Sequence, residues 1–246
     1  MNLEFKGKTV IVSGATRGIG KAIASAFLTE GATVLGTYRS NESAAQAFKD
    51  SVENSDNLHL FSFDVSNYSE VEAFYKSLEK NFPKIDILIN NSGIRKDSVL
   101  AMMPSEDWQA VIGTNLTGCF NMSKLAIQNM MRQRYGRIVH ICSPMSRLGF
   151  SGQANYAASK AGQEGMTKSM SKEVASRGIT VNCLSPGFID TELLTDLSDD
   201  QRKEYKKMVP MRRFGKTEEV ADATLFLASD KAAYITGSTI DICGGV

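Results

Sequence analysis

The residues best suited to chemistry sit in one short run, Tyr156-Ala157-Ala158-Ser159-Lys160. The surrounding pattern predicts a long helix over 153–176. Positions four apart share a helix face, so the phenol and the ammonium point the same way. A cation beside a tyrosine favours its phenolate, which eases proton exchange with a substrate oxygen near neutral pH. The spacing alone is a weak signal, because tyrosine and lysine are common on helices. A second group is Ser13-Gly14-Ala15-Thr16-Arg17-Gly18-Ile19-Gly20. Gly14 permits a tight turn, Gly18 lets backbone approach a pyrophosphate, and Gly20 lets the following helix pack against a sheet. The free N–H groups and positive dipole end of that helix then face the phosphates. The expected phosphate set is Gly14, Thr16, Arg17, Gly18, Ile19 and Gly20. Further on, Leu35-Gly36-Thr37-Tyr38-Arg39-Ser40 holds no acid to accept from a ribose 2′-hydroxyl. Arg39 is suited instead to a 2′-phosphate, with Arg17 a second cation, so the expected cofactor is NADP(H).

These groups need a scaffold, and the chain supplies alternating strand and helix signals. Strands are predicted over 9–13, 33–37, 58–63, 85–90, 137–142, 179–184 and 238–242. Helices are predicted over 19–29, with Gly31 as the stop, and over 43–52, 70–81, 153–176 and 217–228. Residues 105–131 read as helical, as two helices meeting end to end. Such alternation predicts an α/β fold, a Rossmann-type doubly wound parallel sheet of about seven strands with helices on both faces. Residues 1–246 are expected to form one domain. The polar stretch 187–214 breaks the rhythm and is expected to be a functional loop, such as a lid.

Composition excludes several classes. The chain has 246 residues, 42% of them hydrophobic, and a net charge of +1. That balance gives no field for nucleic acid or an anionic membrane. No apolar run is long enough to span a bilayer, and the first residues lack a signal-like core. Cys119, Cys142, Cys183 and Cys243 form no CxxC pair, so a reducing cytoplasm is the expected location. His59 and His140 lie in strand-like runs and read as ordinary structure; no metal is expected.

With further motifs in the same order, the chain resembles the short-chain dehydrogenase/reductases over essentially its full length. Those motifs are the glycine loop, Asp64-Val65, Asn90-Asn91-Ser92-Gly93, Asn115, Ser143, Tyr156 with Lys160, and Pro186-Gly187 with Thr191. The resemblance implies that Tyr156 donates a proton to a carbonyl oxygen and Ser143 holds that oxygen. Lys160 binds the nicotinamide ribose, and Asn115 supports Lys160 through a water. Asp64 and Val65 contact the adenine, and Asn91, Ser92 and Gly93 line the cofactor channel. Pro186, Gly187 and Ile189 wall the nicotinamide, and Thr191 reaches its carboxamide or the phosphates. Pro144, directly after the serine, is expected to shape that loop unusually, with Ser146 a fallback for Ser143.

Within the family the chain most resembles the β-ketoacyl-acyl-carrier-protein reductases. That implies an acidic carrier as partner and a homotetramer. Arg134 and Arg177 match the carrier-docking arginines; with Arg132 and Arg137 they are expected to rim the active-site mouth. Met102, Met103, Met145, Met208 and Met211 are expected to be mostly core rather than an acyl channel. The alternatives are a reductase of another ketone and a non-catalytic NADP(H)-binding sensor.

Overall fold

The computed structural model describes residues 5–53, 55–192 and 198–246. Among these residues seven strands form one sheet in the order β3-β2-β1-β4-β5-β6-β7. They are β1 (Thr9–Ser13), β2 (Thr33–Tyr38), β3 (Leu58–Ser62), β4 (Ile87–Asn90), β5 (Gly136–Ile141), β6 (Ile179–Pro186) and β7 (Thr239–Ile242). Every pairing is parallel. Parallel strands need crossovers, and the helices supply them: α1 (Gly18–Thr29), α2 (Glu42–Asp50), α3 (Tyr68–Leu78), α4 (Ser105–Ile112), α5 (Gly118–Gln133), α6 (Met145–Leu148), α7 (Ala154–Val174), α8 (Asp199–Met208) and α9 (Thr217–Ala228).

Side-chain alternation along the strands sorts the core into two layers. Val10, Val12, Val34, Ile87, Ile89 and Val139 pack with Ile23 and Phe27 of α1, Phe48 of α2, and Val220 and Leu225 of α9. Ile11, Leu35, Leu88, Ile138 and Val181 face the other way, onto Val71 and Phe74 of α3, Met122 and Met130 of α5, and Met170 and Val174 of α7. Strand order reverses direction between β1 and β4. In such sheets ligands bind beyond the carboxyl ends of the strands at that switch point.

The predicted elements are all present, with ends shifted by a few residues. Two differ in kind. The 105–131 helical material is α4 and α5 joined by a wider turn at Gly113–Thr117, where the Gly118 N–H bonds the Gly113 carbonyl five residues back. The 187–214 stretch is not simply a loop, because it contains α8. Ser198 caps that helix through Gln201 in a reciprocal capping box. Tyr205 of α8 stacks on Phe188 at 5.2 Å and meets Phe150 edge-on at 6.1 Å. Residues 193–197 of this stretch lie outside the described residues.

The arginine cluster requires a correction. Arg134 ends α5 in the left-handed conformation at φ 54°, and Arg177 ends the turn before β6. Both are exposed, but they stand at the amino ends of β5 and β6. Ser143 follows the carboxyl end of β5, about 20 Å away at ~3.3 Å per residue. The expected rim around the mouth is therefore not formed by this protomer's own arginines. Arg137 is buried; it pairs with Asp230 at 2.8 Å, donates to the carbonyls of Gly136 and Gly178, and stacks on Tyr135. The methionines also depart from expectation. Met145 is buried, but Met102, Met208 and Met211 are exposed at 77%, 49% and 60%.

Candidate active site

The carboxyl ends of β1, β4, β5 and β6 bring most of the predicted residues to one side of the sheet. The glycine loop leaves β1 with Gly14 and Gly18 at φ +66° and +51°, a region open to glycine at little cost. Gly20 faces the Gly14 carbonyl so closely that a methyl group has no room there. Asn91, after β4, ties the loop down: its Nδ2 donates to the carbonyls of Ser13 and Gly14, both at 3.0 Å. Ser13 Oγ accepts from the N–H groups of Asn91 and Ser92. The Asn91-Ser92 pair thus holds the cradle in shape, a role the motif did not reveal.

The cradle fits a nicotinamide dinucleotide. Arg17 gives α1 no side-chain cap, and the first turn contains no acid, so the helix start keeps N–H donors for phosphate. Thr16 is buried and Arg17 exposed at its rim, and Ile19 packs partly into the core. Arg39 lies at the end of β2, where its Nε pairs with Asp64 Oδ2 at 3.0 Å. Asp64 thereby fixes the Arg39 cation, and also accepts from the Ser66 N–H and hydroxyl. Val65 is buried, and its carbonyl accepts from Asn121. On the other side the chain leaves β6 at Pro186; Gly187 donates to the Ile242 carbonyl and Ile189 bridges to Gly215. Thr191 returns to face Gly18 across the cleft, its Cγ2 3.6 Å from where a Cβ on that glycine would lie.

The reactive end is built from β5 and α7. Tyr156 is half-buried near the start of α7, and Lys160, one turn on, is 4% exposed. The Lys160 Nζ lies 5.6 Å from the Tyr156 ring centre. It donates to the Ile141 carbonyl at 2.7 Å, two residues before Ser143. Ser143 is buried at the strand end, and its Oγ accepts from the Met145 N–H. Pro144 is the N-cap of α6, with φ −62°, where a missing N–H breaks no helical bond. The expected distortion resolves into this short helix. Ser146 is turned away, donating to Glu164 Oε1 at 2.6 Å, which removes it as the alternative serine.

Asn115 sits in the wide turn between α4 and α5 and is fully buried. Its Oδ1 accepts from the Ile94 N–H at 2.8 Å, and its Nδ2 donates to the Ile94 carbonyl and to Ser159 Oγ. Ser159 in turn donates to the Tyr156 carbonyl at 2.7 Å. Gly93 closes the group, since a Cβ there would lie 3.4 Å from Asn115 Oδ1 and 3.7 Å from Lys160 Nζ. Two contributors escaped the sequence reading, Ser159 within the tyrosine motif and Gln163 one turn after Lys160. Their polarity on a buried helix face was the signal that was available.

A doubly wound parallel sheet with a glycine turn at its switch point, and a tyrosine and lysine beside that turn, defines a nicotinamide-dependent oxidoreductase. Residues 14–246 match the family described as Enoyl-(Acyl carrier protein) reductase. Similar proteins include the 3-oxoacyl-acyl-carrier-protein reductases FabG of Vibrio cholerae, 48% identical over 100% of this chain and 99% of the relative, and of Escherichia coli, 46% identical over 99% of each. That of Thermotoga maritima is 40% identical over 99% of each. The chain belongs to the short-chain dehydrogenase/reductase family. Among the described residues no helix is long and apolar enough to cross a membrane.

Proposed function

We propose that this protein reduces the 3-oxo group of an acyl chain carried on acyl carrier protein to the 3-hydroxy group, with NADPH, in fatty-acid elongation. The observation that carries the reading is the chain of bonds from Asn115 through Ser159 to Tyr156, with Lys160 bonded to the Ile141 carbonyl two residues before Ser143, in a chain that matches 3-oxoacyl-carrier reductases along its whole length. The reduced nicotinamide supplies the hydride. Tyr156 gives its phenolic proton to the substrate oxygen as negative charge develops there. Ser143 donates a hydrogen bond to that oxygen and fixes it for the transfer. Lys160 holds the ribose hydroxyls and keeps a positive charge near the phenol. Asn115 holds Gly93-Ile94 and, through Ser159, the first turn of α7. The glycine loop with Thr16, Arg17 and Ile19 takes the pyrophosphate. Asp64 and Val65 flank the adenine, and Pro186, Gly187, Ile189 and Thr191 cover the nicotinamide. Leu148, Met208 and Met211, exposed apolar side chains in and just after α6 and α8, offer the acyl chain an apolar surface. The working unit is a cytoplasmic homotetramer of one-domain protomers, and Arg134 and Arg177, exposed at the amino ends of β5 and β6, are the basic residues offered to an acidic carrier.

The test follows NADPH absorbance with acetoacetyl-acyl carrier protein, running acetoacetyl-CoA and NADH in parallel. Preference for the carrier and for NADPH supports the reading. Tight NADPH binding without turnover of either thioester would sink the substrate assignment and point to another ketone. Cofactor choice has its own check. Arg39→Asp exchanges a phosphate partner for an acceptor of the ribose 2′-hydroxyl, and the kcat/KM ratio of NADPH to NADH should fall about 30-fold, a change of ~2 kcal/mol. An unchanged ratio would remove Arg39 from cofactor selection.

A further inference from the structure

Lys160 is buried, and a buried ammonium needs acceptors for its N–H groups. Among the described residues the structure gives it two, the Ile141 carbonyl at 2.7 Å and Gln163 Oε1 at 3.3 Å. Gln163 lies three residues further along α7, on the same face, and is 1% exposed. Its Nε2 donates at 2.6 Å to the main-chain carbonyl of Asn115. That carbonyl is available because the helix winds wide at Gly113–Thr117 and leaves the regular bonding ladder. One side-chain amide therefore joins the opened helix turn to the catalytic lysine. The side chain of Asn115 itself is fully engaged with Ile94 and Ser159.

We propose that Gln163 is a positioning residue, holding the Lys160 ammonium at its distance from Tyr156 and coupling it to the Asn115 carbonyl. The inference rests on the reading of Tyr156 and Lys160 as the reactive pair. The third N–H of Lys160 stays available for a ribose hydroxyl.

The surroundings explain why an amide serves here. Cys142 of the β5 end also donates to Gln163 Oε1, at 3.5 Å, and touches Cys183 of β6. Burial pushes the thiols of Cys119 and Cys142 up, and lowers His140 to about 3, with the Lys160 charge acting in the same direction on the imidazole. Glu164, the nearest acid along α7, is engaged by Ser146 and lies 3.7 Å from Arg147, away from the lysine. Lys160 is thus the charge at this depth. A carboxylate at position 163 would neutralise it and could not donate to Asn115; an apolar side chain would leave the ammonium and the carbonyl each short of a partner.

Two variants test the proposal. Gln163→Met keeps an unbranched side chain of similar size and removes both hydrogen bonds. Gln163→Glu keeps an acceptor for Lys160 and adds a negative charge. The first readout needs no substrate: the near-ultraviolet tyrosinate signal of Tyr156, taken as the difference from the same background carrying Tyr156→Phe. Its onset should move to higher pH by about half a unit in Gln163→Met and further in Gln163→Glu, because the phenolate loses the field of a fixed cation. In the second, turnover of the thioester should fall about tenfold in Gln163→Met, with NADPH affinity changed less than turnover. An unmoved tyrosinate onset in both variants, whether or not their melting temperatures fall, would overturn the proposal and leave Gln163 a packing residue. A wild type that ignores 3-oxoacyl thioesters would sink the substrate reading alone, since the tyrosinate titration stands without it.

Discussion

Tyr156→Phe is expected to fold and bind NADPH like the wild type while losing about a thousandfold in kcat, ~4 kcal/mol of barrier. The phenol oxygen is the only atom removed, and the ring keeps its place because it is set by the backbone. The Tyr156 N–H donates to Asn155 Oδ1 at 2.7 Å, and its carbonyl accepts from Ser159. Neither contact involves the hydroxyl. Stability should therefore change little, and thermal melting with NADPH titration checks that the scaffold is intact. Steady-state kinetics then reads the chemistry. Loss in kcat and kcat/KM together, with cofactor affinity retained, marks an interaction made in the transition state. Turnover within a few-fold of wild type would mean that another group supplies the proton, and the assignment of Tyr156 would fail.

Much of this could be read from residue order. Thr9–Ser13 and Thr217–Ala228 begin and end where expected, because each is bounded by local signals: a glycine turn after the strand, and Glu218 and Glu219 in the first turn of the helix. The alternation of strands and helices fixed the layered sheet, and a sheet of this topology dictates which strand ends meet. What stayed hidden depends on contacts across the fold. The α8 helix is polar nearly throughout, and it is docked by Tyr205 against Phe150 and Phe188, residues far away in sequence. Its capping box, Ser198 with Gln201, was the legible part. The arginines at 132, 134 and 137 look like one basic cluster along the chain. In space Arg134 turns the backbone left-handed out of α5, and Arg137 enters β5 and is buried against Asp230. Gln163 reads as an ordinary polar helix position until the bent α4–α5 junction is brought beside it.

The second large effect concerns the cradle. Gly20→Ala should raise the NADPH dissociation constant about 100-fold, ~2.7 kcal/mol, and lower stability by roughly 2–4 kcal/mol. Gly20 has helical backbone geometry, so its need for glycine is steric, not conformational. A Cβ there would stand 2.0 Å from the Gly14 carbonyl oxygen and 2.4 Å from Asn91 Nδ2. Neither is the free end of a flexible chain. Gly14 is backbone held at φ +66°, and Asn91 is bound to Ser13 and Gly14 together. Making room means pushing α1 off the loop or breaking the Asn91 tie, and either change moves the N–H groups at the start of α1 that are proposed to take the pyrophosphate. Gly18→Ala is the comparison. Among the described residues a Cβ there meets Thr191 alone, at 3.6 Å or more, so its cost is mainly the left-handed φ of +51°, about 1–2 kcal/mol. Melting temperature should therefore fall further for Gly20→Ala than for Gly18→Ala. Equal melting temperatures, or NADPH affinity unchanged in the Gly20 variant, would mean that the helix start yields freely and that the loop is not held by this contact.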